Sequence, residues 1–374
     1  MKVLHLVKTS DGAGWALRQM KELVKSGVEV HVAMPGNGFW MPEYISAGIT
    51  VHEMNFSLKH IYTSCKQLRK IVKEVSPDII HSHFVLTTLI MRLALRNDSR
   101  PRIFQVPGPL HLENWFFRNL DIYIARKNDF WVGSCKWTNK RYAASGVSGD
   151  RIFLSYYGGE LKKMASRKPE IPHKIRTELN LGKDAIIIGM VAYMYAPKRY
   201  LGQTRGLKGH EDFIDAIAIV SAKYPQVYGV CIGGAWGNAR KYERQVIDYA
   251  RKKTDQVYFM GTRTDVPDLY SDMFCVVHPS LSENLGGAGE SLTLGVPTIA
   301  TDTGGFPDIV IDGETGILVP AHSPKAIAGA IIDFIEGKYD LKKMSQQGIR
   351  LMTETFDLQH TTSSLIKIYN QLIR

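Results

Sequence analysis

Short apolar runs alternate with amphipathic helical patterns along almost the whole chain, and this alternation is what most narrows the possible folds. In the first half, strand-like runs fall at 3–9, 28–34, 50–54, 79–84, 102–107, 129–134 and 151–157, and helical patterns fill most of the gaps. A parallel strand pair needs a crossover, usually a helix, so the order predicts a doubly wound parallel α/β sheet. The first repeat is the clearest. Its strand ends at Thr9 and a turn carries Asp11-Gly12-Ala13-Gly14. A helix follows with Leu17, Met20, Leu23 and Val24 on one face, closed by Gly27. The alternation restarts at 185–190 and continues at 227–234, 257–261 and 274–278. Between the two series, residues 158–183 are basic, carry Pro169 and Pro172, and read as a connection. A chain of 374 residues is long enough for two cores.

Charge divides the two series. Residues 1–168 hold 25 Lys and Arg against 13 Asp and Glu, whereas the remainder holds 22 against 23. The first half therefore faces an anionic surface or ligand. One basic stripe lies on a helix at 63–75, where Lys66, Arg69, Lys70 and Lys73 stand opposite Leu68, Ile71, Val72 and Val75. Aromatic groups at Phe39-Trp40-Met41 and Trp115-Phe116-Phe117, the latter beside Arg118, suit local packing or a membrane interface. No nucleic-acid motif accompanies the charge, so an anionic bilayer or a lipid-linked acceptor fits better than nucleic acid. The four cysteines are far apart and form no CxxC pair, which points to reduced thiols rather than a disulfide or zinc framework. The first apolar run is too short for a signal peptide, and no run of about 18 apolar residues could span a bilayer. The expectation is a cytoplasmic protein, peripheral on the inner face of a membrane.

Residues 278–307 carry the chemistry. A strand runs into a polar turn, a Gly-rich bend, a brief helix near Glu290, and a second strand closed by Thr303-Gly304-Gly305. Glycine turns at a helix start let an anion approach converging N–H groups. Glu283 and Glu290 accept hydrogen bonds only, so they match sugar hydroxyls rather than phosphates. Phosphates and hydroxyls together describe a nucleotide sugar.

The pattern Glu283-Asn284-Leu285-Gly286, Glu290, Gly295-Val296-Pro297 and Gly304-Gly305 resembles the glutamate-pair signature of glycosyltransferase family 4, retaining enzymes of the GT-B fold. The family usually places seven residues between the two Glu, and this chain places six. The resemblance covers nearly the whole chain and is strongest from Gly209 to Pro320. It implies two Rossmann-like doubly wound domains facing each other across a cleft. The first, 1–165, would bind acceptor, with a C-terminal helix at 356–374 packing back on it; the second, 184–355, would bind donor.

The resemblance also assigns roles. Glu290 takes the ribose hydroxyls and Glu283 the transferred sugar, while Gly286 and Gly287 offer N–H groups. Lys208, before Gly209, neutralises the donor diphosphate. The Arg that usually accompanies it is replaced by Tyr193, and Arg199 or Arg205 from a basic insertion is expected to fold back instead. The segment with Arg263 and Thr264 resembles the base-binding stretch, and Gly234 lies on the donor side. Gly12 and Gly14 approach the diphosphate from the first domain. His111 is the favoured counterpart of a His that contacts sugar or acceptor in relatives, with a loop-capping role as the alternative. His81 and His83 fall on one face of a strand near its end, equally suited to packing beneath the cleft.

Charge builds on the β-phosphate as the glycosidic bond breaks, and cationic side chains can stabilise it. The chain has no Asp-x-Asp triplet to hold a divalent ion, so no metal and no cofactor is expected. The donor would be a UDP- or GDP-sugar and the acceptor a glycan or lipid-linked saccharide in cell-surface polysaccharide biosynthesis. Two other readings share the fold: a sugar-nucleotide epimerase, and a non-catalytic sugar-nucleotide-binding subunit.

Overall fold

The alternation folds into two parallel sheets. The computed structural model describes residues 1–106, 108, 110–167, 173–198 and 202–373. The chain forms two units, one of residues 1–160 with 355–374 and the other of residues 161–354.

The first unit is built on β1 (Lys2–Leu6), β2 (Glu29–Met34), β3 (Thr50–Glu53), β4 (Ile79–Ser82), β5 (Arg102–Val106), β6 (Asp129–Gly133) and β7 (Ile152–Leu154). Their order is β3-β2-β1-β4-β5-β6-β7, and β1 is parallel to both β2 and β4. The order therefore reverses between β1 and β4, the point where such sheets leave a crevice beyond their strand ends. One face is covered by the helix Gly14–Lys25, which buries Ala16, Leu17, Met20 and Leu23. The C-terminal helix Leu358–Ile373 brings Leu365, Ile368 and Tyr369 into the same core, against Val3 and Ile79. On the other face, Leu68, Ile71, Val72 and Val75 of the helix Ile61–Val75 pack on Leu4, Leu6 and Ile80. Lys66, Arg69, Lys70 and Lys73 are left at the surface, with Arg69 Nε donating to the Ala94 carbonyl at 2.7 Å. Trp115, Phe116 and Phe117 are 69%, 57% and 43% exposed, while Trp40 is half-buried.

The second unit contains β8 (Ile186–Val191), β9 (Val227–Ile232), β10 (Val257–Phe259), β11 (Cys275–His278), β12 (Thr298–Thr301) and β13 (Ile317–Val319), ordered β10-β9-β8-β11-β12-β13. Its core joins Phe213, Ile217 and Val220 of the helix His210–Lys223 to Ile327, Ile331 and Phe334 of the helix Pro324–Ile335. β13 lies outside the strand pattern read from the sequence, because three residues are too few to show alternation. The stretch read as a connection is structured where it is described. It carries short helices at Leu161–Ala165 and Lys174–Glu178, and Ile175 is fully buried with Leu269 and Tyr270 in the second unit. All four cysteines are buried and none is in a disulfide.

Candidate donor site

The second unit opens a cavity of about 340 Å³ beyond β8 and β11, the strands at which its order reverses. Its lining includes Lys208, Glu283, Gly287, Glu290 and Arg263 from the sequence-derived set. Volume and position both suit a small-molecule site.

Lys208 is placed by the turn that starts the helix His210–Lys223. Gly209 adopts φ +73°, and a Cβ there would lie 2.0 Å from the Pro279 carbonyl oxygen, so only glycine lets the turn approach the exit of β11 this closely. Lys208 Nζ forms an ion pair with Glu283 and lies 5.8 Å from the centroid of the Tyr195 ring. The two charged side chains are only 18% and 12% exposed, so each is the other's main counter-charge.

Glu283 is fixed from several directions. Its carboxylate accepts from Ser280 Oγ at 3.3 Å and from the Asn284 N–H at 3.0 Å, and its carbonyl accepts from the Gly305 N–H at 3.2 Å. The Gly304-Gly305 pair thereby acquires a physical meaning. Gly304 sits at φ +55°, with a built Cβ only 1.7 Å from the Glu283 carbonyl oxygen. Glu290 lies in the first turn of the helix Ala288–Thr293. Beneath it, Tyr270 is fully buried; burial, then the Glu290 charge, holds its hydroxyl protonated. His278, at the end of β11, bonds Ser291 Oγ at 3.1 Å, and burial followed by the Lys208 charge lowers its pKa to about 3. It is therefore a neutral wall of the cavity.

The opposite wall comes from the ends of β8, β9 and β10. Gly233 and Thr262 line it, and Thr262 Oγ1 accepts from the Gly234 N–H at 3.3 Å. Arg263 lines the cavity with its guanidinium committed to Glu178 at 2.7 Å and to Asp265 at 2.7 Å. Tyr193, in place of the family's Arg, also lines the cavity and packs on Trp236 at 5.0 Å between centroids.

The remaining sequence-derived residues fall elsewhere. Arg205 is not in the lining; contrary to expectation it does not turn toward Lys208, because Asp212 and Asp215 of the following helix take its guanidinium. Arg199 lies outside the described residues. Gly234, Thr264, Asn284, Leu285 and Gly286 flank the lining residues without joining them, and Gly286 at φ +47° turns the chain against the Glu283 carboxylate. Gly12, Gly14 and His111 belong to the first unit. Gly12 donates to Thr9 Oγ1 at 3.4 Å, and Gly14 begins its helix against Trp40. His111 Nε2 is 3.1 Å from the Tyr142 hydroxyl, which donates to Asp121, and burial lowers the histidine's pKa. Sequence reasoning did not single out Tyr195, Tyr270 and His278; position after a strand was the available signal for Tyr195 and His278, and Tyr270, in the turn before β11, carried none.

Two doubly wound domains, the second with a lysine and paired carboxylates at its strand ends, define the GT-B class of architecture. Comparisons with known proteins agree. Residues 199–351 match the family described as glycosyl transferases group 1, and residues 2–109 match that described as glycosyl transferase 4-like. The lipopolysaccharide core biosynthesis mannosyltransferase LpsB of Rhizobium meliloti is 28% identical over 178 residues; the match covers 46% of this chain and 51% of that protein. The chain thus spans about half of that relative's length. The capsular polysaccharide biosynthesis glycosyltransferase CapM of Staphylococcus aureus is 24% identical over 389 aligned positions, covering 100% of this chain and 98% of CapM. Among solved structures, HepE of Anabaena in complex with UDP superposes with a TM-score of 0.83 at 18% identity, covering 99% of this chain and 100% of HepE. At that identity the likeness speaks for the fold. The chain belongs to the family 4-type glycosyltransferases of GT-B fold.

Proposed function

We propose that the protein transfers a sugar, with retained anomeric configuration and without a metal ion, from a nucleoside-diphosphate sugar to a glycan or lipid-linked saccharide in polysaccharide biosynthesis. One observation carries the reading: Lys208, Glu283 and Glu290 converge on a single cavity at the switch point of a doubly wound sheet. The lysine matches a diphosphate and the carboxylates match hydroxyls. In the free protein Glu283 holds the Lys208 ammonium where the β-phosphate would take it. Donor binding exchanges partners: Lys208 passes to the phosphate and Glu283 turns to the hydroxyls of the transferred sugar. As the bond from the anomeric carbon to the phosphate oxygen breaks, Lys208 stabilises the charge left on the β-phosphate. The acceptor hydroxyl attacks from the same face and its proton goes to that departing phosphate. The roles named for LpsB and CapM support polysaccharide as the product, and the HepE complex supports UDP as the nucleotide. The basic first unit, with 23 Lys and Arg against 14 Asp and Glu, and its exposed aromatic group at 115–117 support attachment to an anionic inner membrane face. Vesicles containing anionic lipid should then sediment the protein, and neutral vesicles should not.

The deciding experiment is thermal unfolding with UDP, GDP, ADP and, as a control, NAD. A ligand at 100 times its Kd stabilises by about 2.7 kcal/mol. We expect a shift with one diphosphate, UDP first, reduced in Glu290→Ala. Silence from all three diphosphates would overturn the donor site. Binding without transfer would favour the non-catalytic reading, and conversion of donor to an isomer without acceptor the epimerase.

A further inference from the structure

The first unit holds a cluster of ligating side chains that sugar transfer does not use. His5 on β1 is the register partner of His81 on β4, and His83 follows β4 on the same face. His83 stacks on both His81 and His5, with centroids 4.3 and 5.1 Å apart, and His5 and His81 are tilted to each other at 4.9 Å. All three side chains are completely buried.

Their hydrogen bonds are incomplete. Nδ1 of His81 is 2.6 Å from the Tyr369 hydroxyl, and Nδ1 of His83 is 2.8 Å from the Tyr157 hydroxyl. His5 Nδ1 meets His83 Nε2 at 2.8 Å. Nε2 of His5 has no partner, and Nε2 of His81 and Oε1 of Gln105 lack a well-formed one, the Gln105 side chain reaching His81 from β5 only in a loose hydrogen bond. Buried polar atoms are seldom left this way, so each such atom asks for an occupant. The tyrosine hydroxyls also select a tautomer. If Nδ1–H of His81 and of His83 donates to its tyrosine, both Nε2 atoms carry lone pairs, that of His83 accepting from His5 Nδ1–H in a bond that metal binding would break. That is how metal-ligating histidines are commonly oriented from behind.

We propose that His5, His81 and His83 bind one first-row divalent ion of the zinc type, as a structural staple between β1, β4 and, through Tyr369, the C-terminal helix. Their ligand atoms already lie within 4.8 Å of one another. A tetrahedral ion with Zn–N bonds of about 2.0–2.1 Å sets its nitrogens about 3.4 Å apart, so closure needs side-chain shifts of roughly an ångström. Imidazole suits zinc, and a fourth position remains for Gln105 Oε1 or water. The site is sealed from outside by Trp15 and Tyr157, which pack on His83 at 5.8 and 6.0 Å, so the ion is taken up as the unit folds. It has no part in sugar transfer.

The test uses full-length protein with no polyhistidine tag. Metal is quantified by mass spectrometry after unfolding in denaturant with EDTA, removal of the chelator and refolding in the presence of Zn²⁺, and the Co²⁺ form, refolded in the same way, is examined in the visible range. A second, more exposed pair supplies the control. His31 Nδ1 lies 3.0 Å from His52 Nε2, with Glu29 beside His31 at 3.1 Å. We expect one equivalent of Zn²⁺ in the wild type and in His52→Gln, and none in His81→Gln or His5→Gln. We also expect intense Co²⁺ bands of tetrahedral type, and a Tm that Zn²⁺ raises in the wild type but not in His81→Gln. The Co²⁺ spectrum of the wild type does not depend on how the variants fold. A wild type that retains under about a tenth of an equivalent and shows no Co²⁺ bands would overturn the proposal and assign the orphan nitrogens to buried water. So would an ion that persists in His81→Gln and disappears in His52→Gln.

Discussion

The two sheets share one strand order through their first six strands, yet they end differently at the same topological place. In the second unit the crevice beyond β8 and β11 is open, walled by Lys208, Glu283 and neutral His278. In the first unit the C-terminal parts of β1 and β4 carry His5 and His81, with His83 just past β4, backed by the Tyr157 and Tyr369 hydroxyls. Reversal of strand order makes a crevice available in both, because neighbouring crossovers depart to opposite faces. Whether it becomes a ligand cavity depends on what the strand ends and the following turns put into it. Glycines at 209 and 304 draw chain toward the second crevice while leaving its centre free, whereas three imidazoles meet where β1 and β4 end in the first unit.

The sharpest break in the comparison should come from Lys208→Ala. It removes the cation paired with Glu283 and should lower kcat/KM by about 10²–10³-fold, as loss of an electrostatic stabiliser does. Steady-state kinetics with the donor identified by thermal shift would check this, and a loss under tenfold would remove Lys208 from the diphosphate.

Next in size is Gly304→Ala. Its Cβ would collide with the Glu283 carbonyl at 1.7 Å in a positive-φ backbone, so we expect a stability loss of about 2–4 kcal/mol in urea unfolding. Gly313, at φ +75° with nothing within 4 Å, is the control, and its Ala variant should lose only about 1 kcal/mol.

Acid should weaken both units. His5 and His278 are lowered to about 3 and His210 to about 4, in each case chiefly by burial. Their unfolded values lie near 6.5, so between there and pH 4 the unfolded chain binds protons that the folded chain refuses. Stability contributed by these neutral histidines is present above about pH 6.5 and is lost as pH falls, by up to about 1.4 kcal/mol per unit for each. Unfolding curves from pH 7 to 5 should show this slope. His278→Gln should flatten it by one proton; an unchanged slope would mean that His278 titrates alike in both states.

The smallest effect tests the family's missing cation. Tyr193→Arg places a guanidinium on the cavity wall and should tighten the chosen nucleoside diphosphate a few-fold, since a partly exposed charge contributes about 1 kcal/mol or less. Weaker binding in calorimetry would instead show that the packing of Tyr193 on Trp236 matters more than charge there.

Much of this was legible because it is local. Lys208, Glu283, Gly287 and Glu290 fall in continuous turns whose glycines mark positive φ or close approach, and those turns feed the cavity. The meeting of Tyr195, Thr262 and Tyr270 was not legible, since only the sheet brings the ends of β8, β10 and the segment before β11 to one wall. Arg205 misled because its charge was visible and its partners, Asp212 and Asp215 on the next helix turns, were not weighed. His81 and His83 showed their shared face by alternation, but His5 joins them only through β1–β4 register.

By itself, then, the sequence determined two parallel sheets, the turns that carry a lysine and two carboxylates, and the apolar stripe of the terminal helix. Periodicity and glycine placement are properties of neighbouring residues. The tertiary structure alone decided which side chains meet at each switch point, Lys208 with Glu283 in one unit and three histidines in the other. That outcome depends on side chains 70 or more residues apart in sequence meeting at the strand ends, and no local pattern encodes such a meeting.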